Sequence, residues 1–377
     1  MNTLSIHEDL DYDAGFETRL ESFETEDGVE LKLKRYARKG ARPVILAHGF
    51  LGNGYEFDLP QRSHNLALYL AERGYDVWVV NFRGCGRQPY RSVVRNWNYS
   101  MDHLAAFDVP AIIDGVCRAA GKLPVWIGQS MGGMVLYMYL QGASIEGDSS
   151  SFRVNGDRDL SAQRNYSILG GVTIASTPAF YGRGRGWLKR RSKSPFFPAE
   201  TKWWIRRFRS LNETSPRLHT RGPGFLADRY PRLAMTVAMR GPLANFLYNV
   251  KNVDPEVGYS LLKWSSDYVT ARMAAQMASV FLGDLKDYNG EYNYSRNMDR
   301  ITSPMLFLTG SNDFFGPENI REFGFEKVSS RIKKFEVFNH YGHTDLVMGK
   351  HVETEVFPAI LAWLEQLEMS ALQALAG

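Results

Sequence analysis

The sequence predicts an α/β fold: a mostly parallel central sheet with helices on both faces and an inserted helical cap. Three observations carry this expectation. Short apolar runs of strand length (residues 43–46, 77–82 and 123–127) alternate with helix-like stretches, the rhythm of parallel strands covered on both sides. That rhythm stops near Thr177 and resumes with a further apolar run at residues 305–308, as an insertion between two sheet strands would make it. The 377 residues, 44% apolar and 13% aromatic, are enough to bury one large core.

Taken in order, residues 16–23 and 29–36 flank Asp27-Gly28, a hairpin signal. Residues 43–46 and 77–82 read as buried strands separated by a helix-like stretch at 61–73. Asp108 before Pro110 suits a helix start, with the helix running to Ala120. A strand at 123–127, a helix at 131–140, a polar loop at 146–165 and a strand at 167–175 follow. Residues 177–300 turn basic, Trp-rich and Met-rich with several helical patterns, before strands at 305–308 and 334–338 and a closing helix at 353–367. The expected division is a core of 1–178 and 301–377 with a cap of 179–300.

One motif in this frame carries chemistry. Gly128-Gln129-Ser130-Met131-Gly132 follows an apolar strand and opens an apolar helix, the setting in which a sharp turn exposes a serine hydroxyl. Glycines two residues away on either side leave room for that turn. The free N–H of Met131 at the helix start is a natural donor to a tetrahedral oxyanion, and the N–H of Phe50, after His48 and Gly49, is the expected second donor. Asp313 after one late strand and His343 after Gly342 supply an acid and a base in the order Ser, Asp, His. Among their competitors, His340 reads as structural, His48 as a loop brace, and Asp345 as a cap of the helix that follows it.

Beyond this motif, the chain resembles the acid lipases of the α/β-hydrolase superfamily, the gastric and lysosomal lipase group. The resemblance runs through ETEDGVELKLKR, HGFLGN, LALYLAERGYDVWVVNFRG, YSMDHLAAFDVPAIID, GQSMGG, LTGSNDFFGPENI and GHTDLVMG, over most of residues 16–182 and 303–367. It implies Ser130 as nucleophile, Asp313 as acid, His343 as base, and Phe50 and Met131 as oxyanion donors. The chain departs from that group's pattern at Gln129 and Met131, where the group has His and Gln, and at Phe50, where it has Leu. In the cap no convincing alignment with the group is legible.

Composition narrows the remaining choices. Cys85 and Cys117 are too few for a disulfide framework or a cysteine-rich metal site, and no zinc-binding spacing occurs. The glycines at 182, 184 and 186 follow no clear strand, which argues against a dinucleotide loop. No metal or cofactor is expected, and nothing resembles a nucleic-acid module. The first twenty residues carry Glu8, Asp9, Asp11 and Asp13 and no apolar stretch, so a cytoplasmic location is expected. Four N-glycosylation sequons, at Asn98, Asn165, Asn212 and Asn293, then count as chance.

The net charge of +4 is concentrated between Arg183 and Arg232, where only Glu200, Glu213 and Asp228 are acidic. Trp203, Trp204, Phe208 and Leu211 on one side of a helix, with Arg206, Arg207 and Arg209 largely elsewhere, offer peripheral contact with an anionic lipid surface; a cap helix with its apolar side on the pocket is the preferred alternative. Met235 with Met239 and Met273 with Met277 read as core packing. The expected activity is hydrolysis of acyl esters or lipids of medium or long chain. An acyltransferase using the same serine and a catalytically silent binding fold are the alternatives.

Overall fold

The computed structural model describes residues 15–148, 151–182, 192–218, 220–241 and 244–376. Among them, eight strands form one sheet: β1 (Thr18–Glu24), β2 (Glu30–Tyr36), β3 (Pro43–Ala47), β4 (Asp76–Asn81), β5 (Val125–Gln129), β6 (Gly170–Ile174), β7 (Met305–Gly310) and β8 (Lys333–Phe338). Their spatial order is β1-β2-β4-β3-β5-β6-β7-β8. The β1/β2 and β2/β4 pairs are antiparallel and the others parallel. Parallel neighbours need crossovers. Helices Leu66–Glu72, Val109–Ala120 and Met131–Leu140 provide the first three.

The period of two along each strand divides the core into two layers. Ile45, Trp78, Val80, Trp126 and Phe307 face the helices at 109–120 and 131–140. Their chain neighbours Val44, Leu46, Val77, Val79, Val125, Ile127, Leu306 and Leu308 face the helices at 66–72 and 356–376. Helix Met131–Leu140 is buried at every position, so it reads as uniformly apolar.

Between β6 and β7 the chain carries helices Phe197–Thr214, Gly222–Arg229, Pro231–Arg240, Pro255–Ser260 and Ala271–Val280. A two-strand ribbon pairs Arg217–Leu218 with Val269–Thr270. Leu285, Tyr294, Met298 and Ile301 return to the main core. No helix among the described residues is long and apolar enough to cross a membrane. Gly184 and Gly186 and the acidic start at 8–13 lie outside the described residues.

Three local expectations are corrected. Residues 146–165 are not a polar loop: Ala143–Gly147 pairs with Phe152–Gly156, and helix Arg158–Asn165 follows. That helix is held by polar groups, which hid it: Asp157 caps the Leu160 N–H at 2.8 Å, and the buried Asn165 and Arg164 side chains bond backbone carbonyls of residues 139–143. Asp108 does not cap its helix; its carboxylate accepts from the Arg83 backbone and guanidinium, and a wide turn at Leu104–Asp108 leads in from Met101–His103. Such a turn suits the missing N–H of Pro110. The closing helix runs Val356–Ala376, beginning and ending later than its pattern indicated.

Candidate active site

Ser130 sits between the end of β5 and the helix Met131–Leu140, at φ 49° and ψ −111°. A non-glycine residue at positive φ is costly and persists only where its surroundings fix it. Here the Ser130 N–H donates to the Ile174 carbonyl at 2.8 Å, and its own carbonyl accepts from the N–H groups of Gly133 and Met134. The flanking glycines are needed by space. A Cβ on Gly128 would lie 2.3 Å from the Gly132 carbonyl carbon, and one on Gly132 would lie 2.1 Å from the Ala47 carbonyl oxygen.

The Ser130 hydroxyl lies 2.9 Å from His343 Nε2, and His343 Nδ1 lies 3.1 Å and 3.3 Å from the two oxygens of Asp313. Ser130 and His343 are each 5% exposed and Asp313 is fully buried. The loops after β7 and β8 are joined, since Asn312 N–H donates to the Tyr341 carbonyl at 2.8 Å. The Phe315 N–H donates to Asp313 Oδ1 at 2.9 Å. Phe314 lies against the His343 ring at 4.3 Å between centroids, and Phe315 continues through Phe281 to Phe180 as an aromatic wall.

The competing residues are placed elsewhere. His340 is exposed, and its backbone N–H bonds the Ser311 hydroxyl. His48 is buried, with Nδ1 2.9 Å from the Gly49 carbonyl and Nε2 accepting from the Phe82 N–H, and burial lowers its pKa to about 4. It is a neutral brace. Asp345 does not cap its helix, because its oxygens accept from the Gly342 and Asn249 N–H groups and the Asn252 amide. It fixes the turn before His343 instead.

The loop carrying Phe50 starts directly over the serine turn, since Gly132 abuts Ala47 and His48. Helix position alone leaves the Met131 N–H without an intrahelical acceptor, and among the described residues no acceptor faces the Phe50 N–H. Side chains not singled out from sequence hold this loop. Glu56 Oε2 accepts from the Gly49 N–H at 2.7 Å, and Asn53 donates to the Trp264 carbonyl and to Asp267, each at 3.0 Å. Asp267 N–H donates in turn to the Leu51 carbonyl at 2.8 Å. Glu56 lies only a few residues beyond HGFLGN, but no local pattern marks Asp267, more than two hundred residues away. A cavity of about 220 Å³ beside helix Ala271–Val280, lined in part by Tyr181, Arg209 and Lys286, includes none of Ser130, Asp313 or His343.

Gastric triacylglycerol lipase of Mus musculus is 33% identical over 91% of this chain and 87% of its own length. Triacylglycerol lipase 2 of Arabidopsis thaliana is 32% identical over a shorter stretch, 29% of this chain and 30% of that protein. A thermophilic esterase from Thermogutta terrifontis shares the fold with a TM-score of 0.55 at 18% identity, over 93% of this chain and 99% of that one. Residues 44–353 match the alpha/beta hydrolase family, and the chain belongs to that family.

Proposed function

We propose that the protein is a serine carboxylic ester hydrolase of the lipase or esterase type, acting through an acyl-enzyme on Ser130. The observation that carries this reading is the unbroken hydrogen-bonded path from the Ser130 hydroxyl through His343 to Asp313, at 2.9 and 3.1 Å. His343 Nε2 takes the hydroxyl proton as Ser130 Oγ attacks the ester carbonyl, and Asp313 keeps the ring oriented and stabilises its cation. The N–H groups of Phe50 and Met131 receive the oxyanion. The imidazolium then gives its proton to the departing alcohol, and water attacks the acyl-enzyme by the reverse path. Likeness to proteins named triacylglycerol lipases supports an acyl ester or lipid as substrate.

Residues 179–300 act as a cap, and its apolar lining favours medium or long acyl chains. Phe180 and Phe281 beside Phe315, whose neighbour Phe314 lies against His343, support that preference; Met273 and Met277 are buried in the main core, as core packing requires. Hydrolysis of p-nitrophenyl esters from acetate to palmitate, with wild type beside Ser130→Ala, tests both parts. Serine-dependent activity rising with chain length supports the reading; a maximum at acetate removes the chain-length assignment, and activity retained in Ser130→Ala removes the mechanism.

The insertion favours a second contact, with an anionic lipid surface. Trp203 and Trp204 are 51% and 50% exposed, on a stretch where Lys202, Arg206 and Arg207 are also exposed. Aromatic rings beside cations suit a charged bilayer interface. Co-sedimentation with phosphatidylserine vesicles but not with phosphatidylcholine vesicles is expected, and equal retention by both contradicts it. The free Cys85 and Cys117 support action in a reducing compartment such as the cytoplasm.

A further inference from the structure

Glu56 is a buried carboxyl that the proposed reaction does not use. It lies in the short 3₁₀ turn Gly54–Glu56 directly after the loop that begins at His48, and it is 4% exposed. Among the described residues no ion pair holds it. Burial pushes its pKa up to about 7, against the opposing bond from Gly49. A carboxyl placed this way is costly unless it is hydrogen-bonded. Its contact is specific: Oε2 accepts the Gly49 N–H at 2.7 Å.

That bond acts on the peptide that matters. The Gly49 carbonyl is engaged by His48 Nδ1 at 2.9 Å and by the Gly52 N–H at 3.3 Å. With the N–H of Gly49 fixed by Glu56 and its carbonyl fixed by His48 and Gly52, both backbone dihedrals of Gly49 are constrained. Across the trans Gly49–Phe50 peptide, the Phe50 N–H must leave on the side opposite the Gly49 carbonyl. Glycine at 49 also lets Gln129, the residue before the nucleophile, approach: a Cβ there would lie 2.1 Å from Gln129 Oε1 and 3.4 Å from Glu56 Oε2. The side chain that would normally stiffen this position is therefore excluded, and the Glu56 acceptor takes over that task.

We propose that Glu56 is a positioning residue for the oxyanion hole: by accepting the Gly49 N–H it sets the direction of the Phe50 N–H toward the tetrahedral oxyanion on Ser130. The role requires an acceptor at that reach, not a negative charge. It rests on the reading of Ser130 as the nucleophile.

The test compares Glu56→Gln, Glu56→Asp and Glu56→Met with wild type, on p-nitrophenyl butyrate and with butylboronic acid as a tetrahedral mimic, each variant first checked for thermal unfolding. Glu56→Gln keeps an acceptor at the same reach and should hold kcat within about threefold of wild type. Glu56→Asp withdraws the acceptor by one methylene, and Glu56→Met removes it. Both should lose roughly 10- to 100-fold in kcat with KM little changed, the loss expected when one oxyanion donor is misaimed. Boronate affinity should fall by a similar factor. Full kcat in Glu56→Asp would overturn the proposal, as would a Glu56→Gln as slow as Glu56→Met, or a loss confined to KM. Should Glu56→Met fail to fold, the Asp and Gln variants still decide. Absence of Ser130-dependent turnover in wild type would instead overturn the underlying reading of function.

Discussion

At Ser130 the backbone is held from several sides: its amide and carbonyl are bonded, the glycines on either side pack against backbone, and its hydroxyl lies 2.9 Å from a buried imidazole. Along helix Phe197–Thr214 most side chains are exposed, and Thr201 is the buried residue among the described positions. Both regions are helices following a turn, yet one is enclosed on every side and the other packs along one side, against helix Ala271–Val280, and leaves the rest exposed. The contrast separates a turn held from all sides from a helix whose exposed face is where the proposed lipid contact falls. It also sets the order of expected effects.

The largest effect should come from the serine itself. Ser130→Ala should lower kcat by about four orders of magnitude or more with Tm within a few degrees of wild type; steady-state kinetics and calorimetry together check this. Next is the packing beneath it. Gly132→Val should reduce activity at least about 100-fold and cost about 1–3 kcal/mol of stability, because the new side chain meets the Ala47 carbonyl. A Gly132→Val protein with wild-type kinetics would break the claim that the serine turn is fixed by close contact.

The pH dependence of stability is a smaller effect, and its sign follows from burial. Glu56 is raised from 4.5 to about 7 and Asp102 from 3.8 to about 6, both chiefly by burial. Folding therefore favours their protonated forms. Their contribution is fully present below their ordinary pKa values and is lost as pH rises through about 6 to 7. His48 and His103, lowered by burial to about 4 and about 3, act oppositely: their contribution is present above 6.5 and lost as pH falls through the acidic range. The Tm of Glu56→Gln relative to wild type should rise as pH moves from 4.5 to 8, since the variant has no proton to lose. A constant difference across that range would contradict it.

Smallest of all should be the effect of Trp203→Ala with Trp204→Ala. Both rings are half exposed, so Tm should move by only a degree or two and hydrolysis of soluble short esters should be unchanged. Retention on anionic vesicles should fall several-fold. Unchanged retention would leave the comparison between the two regions without its functional half.

How much of this was legible follows the same division. Strands β3 to β7 and the helix after Ser130 are buried on both sides, so they appear as apolar runs of the right length. The positions of Ser130, Asp313 and His343 were legible because each follows a strand end and because separated segments resemble a known lipase group. Helix Arg158–Asn165 was hidden, since polar side chains such as Arg164 and Asn165 hold it through buried hydrogen bonds that no periodicity records. The support of the loop carrying Phe50 was also hidden. Asn53 meets Asp267 from a sequence distance of 214 residues, and Glu56 looks like an ordinary surface acid until the fold buries it. The reading of Asp345 as a helix cap failed because two neighbouring loops compete for its oxygens.

The central claim is that Ser130 is the nucleophile activated by His343. It is tested most directly by labelling the protein with an alkyl fluorophosphonate and locating the adduct by peptide mass spectrometry. We expect one adduct, on the peptide containing Ser130, formed rapidly in wild type, absent in Ser130→Ala and strongly slowed in His343→Ala. Labelling at another residue, or equal labelling of Ser130→Ala, would contradict it.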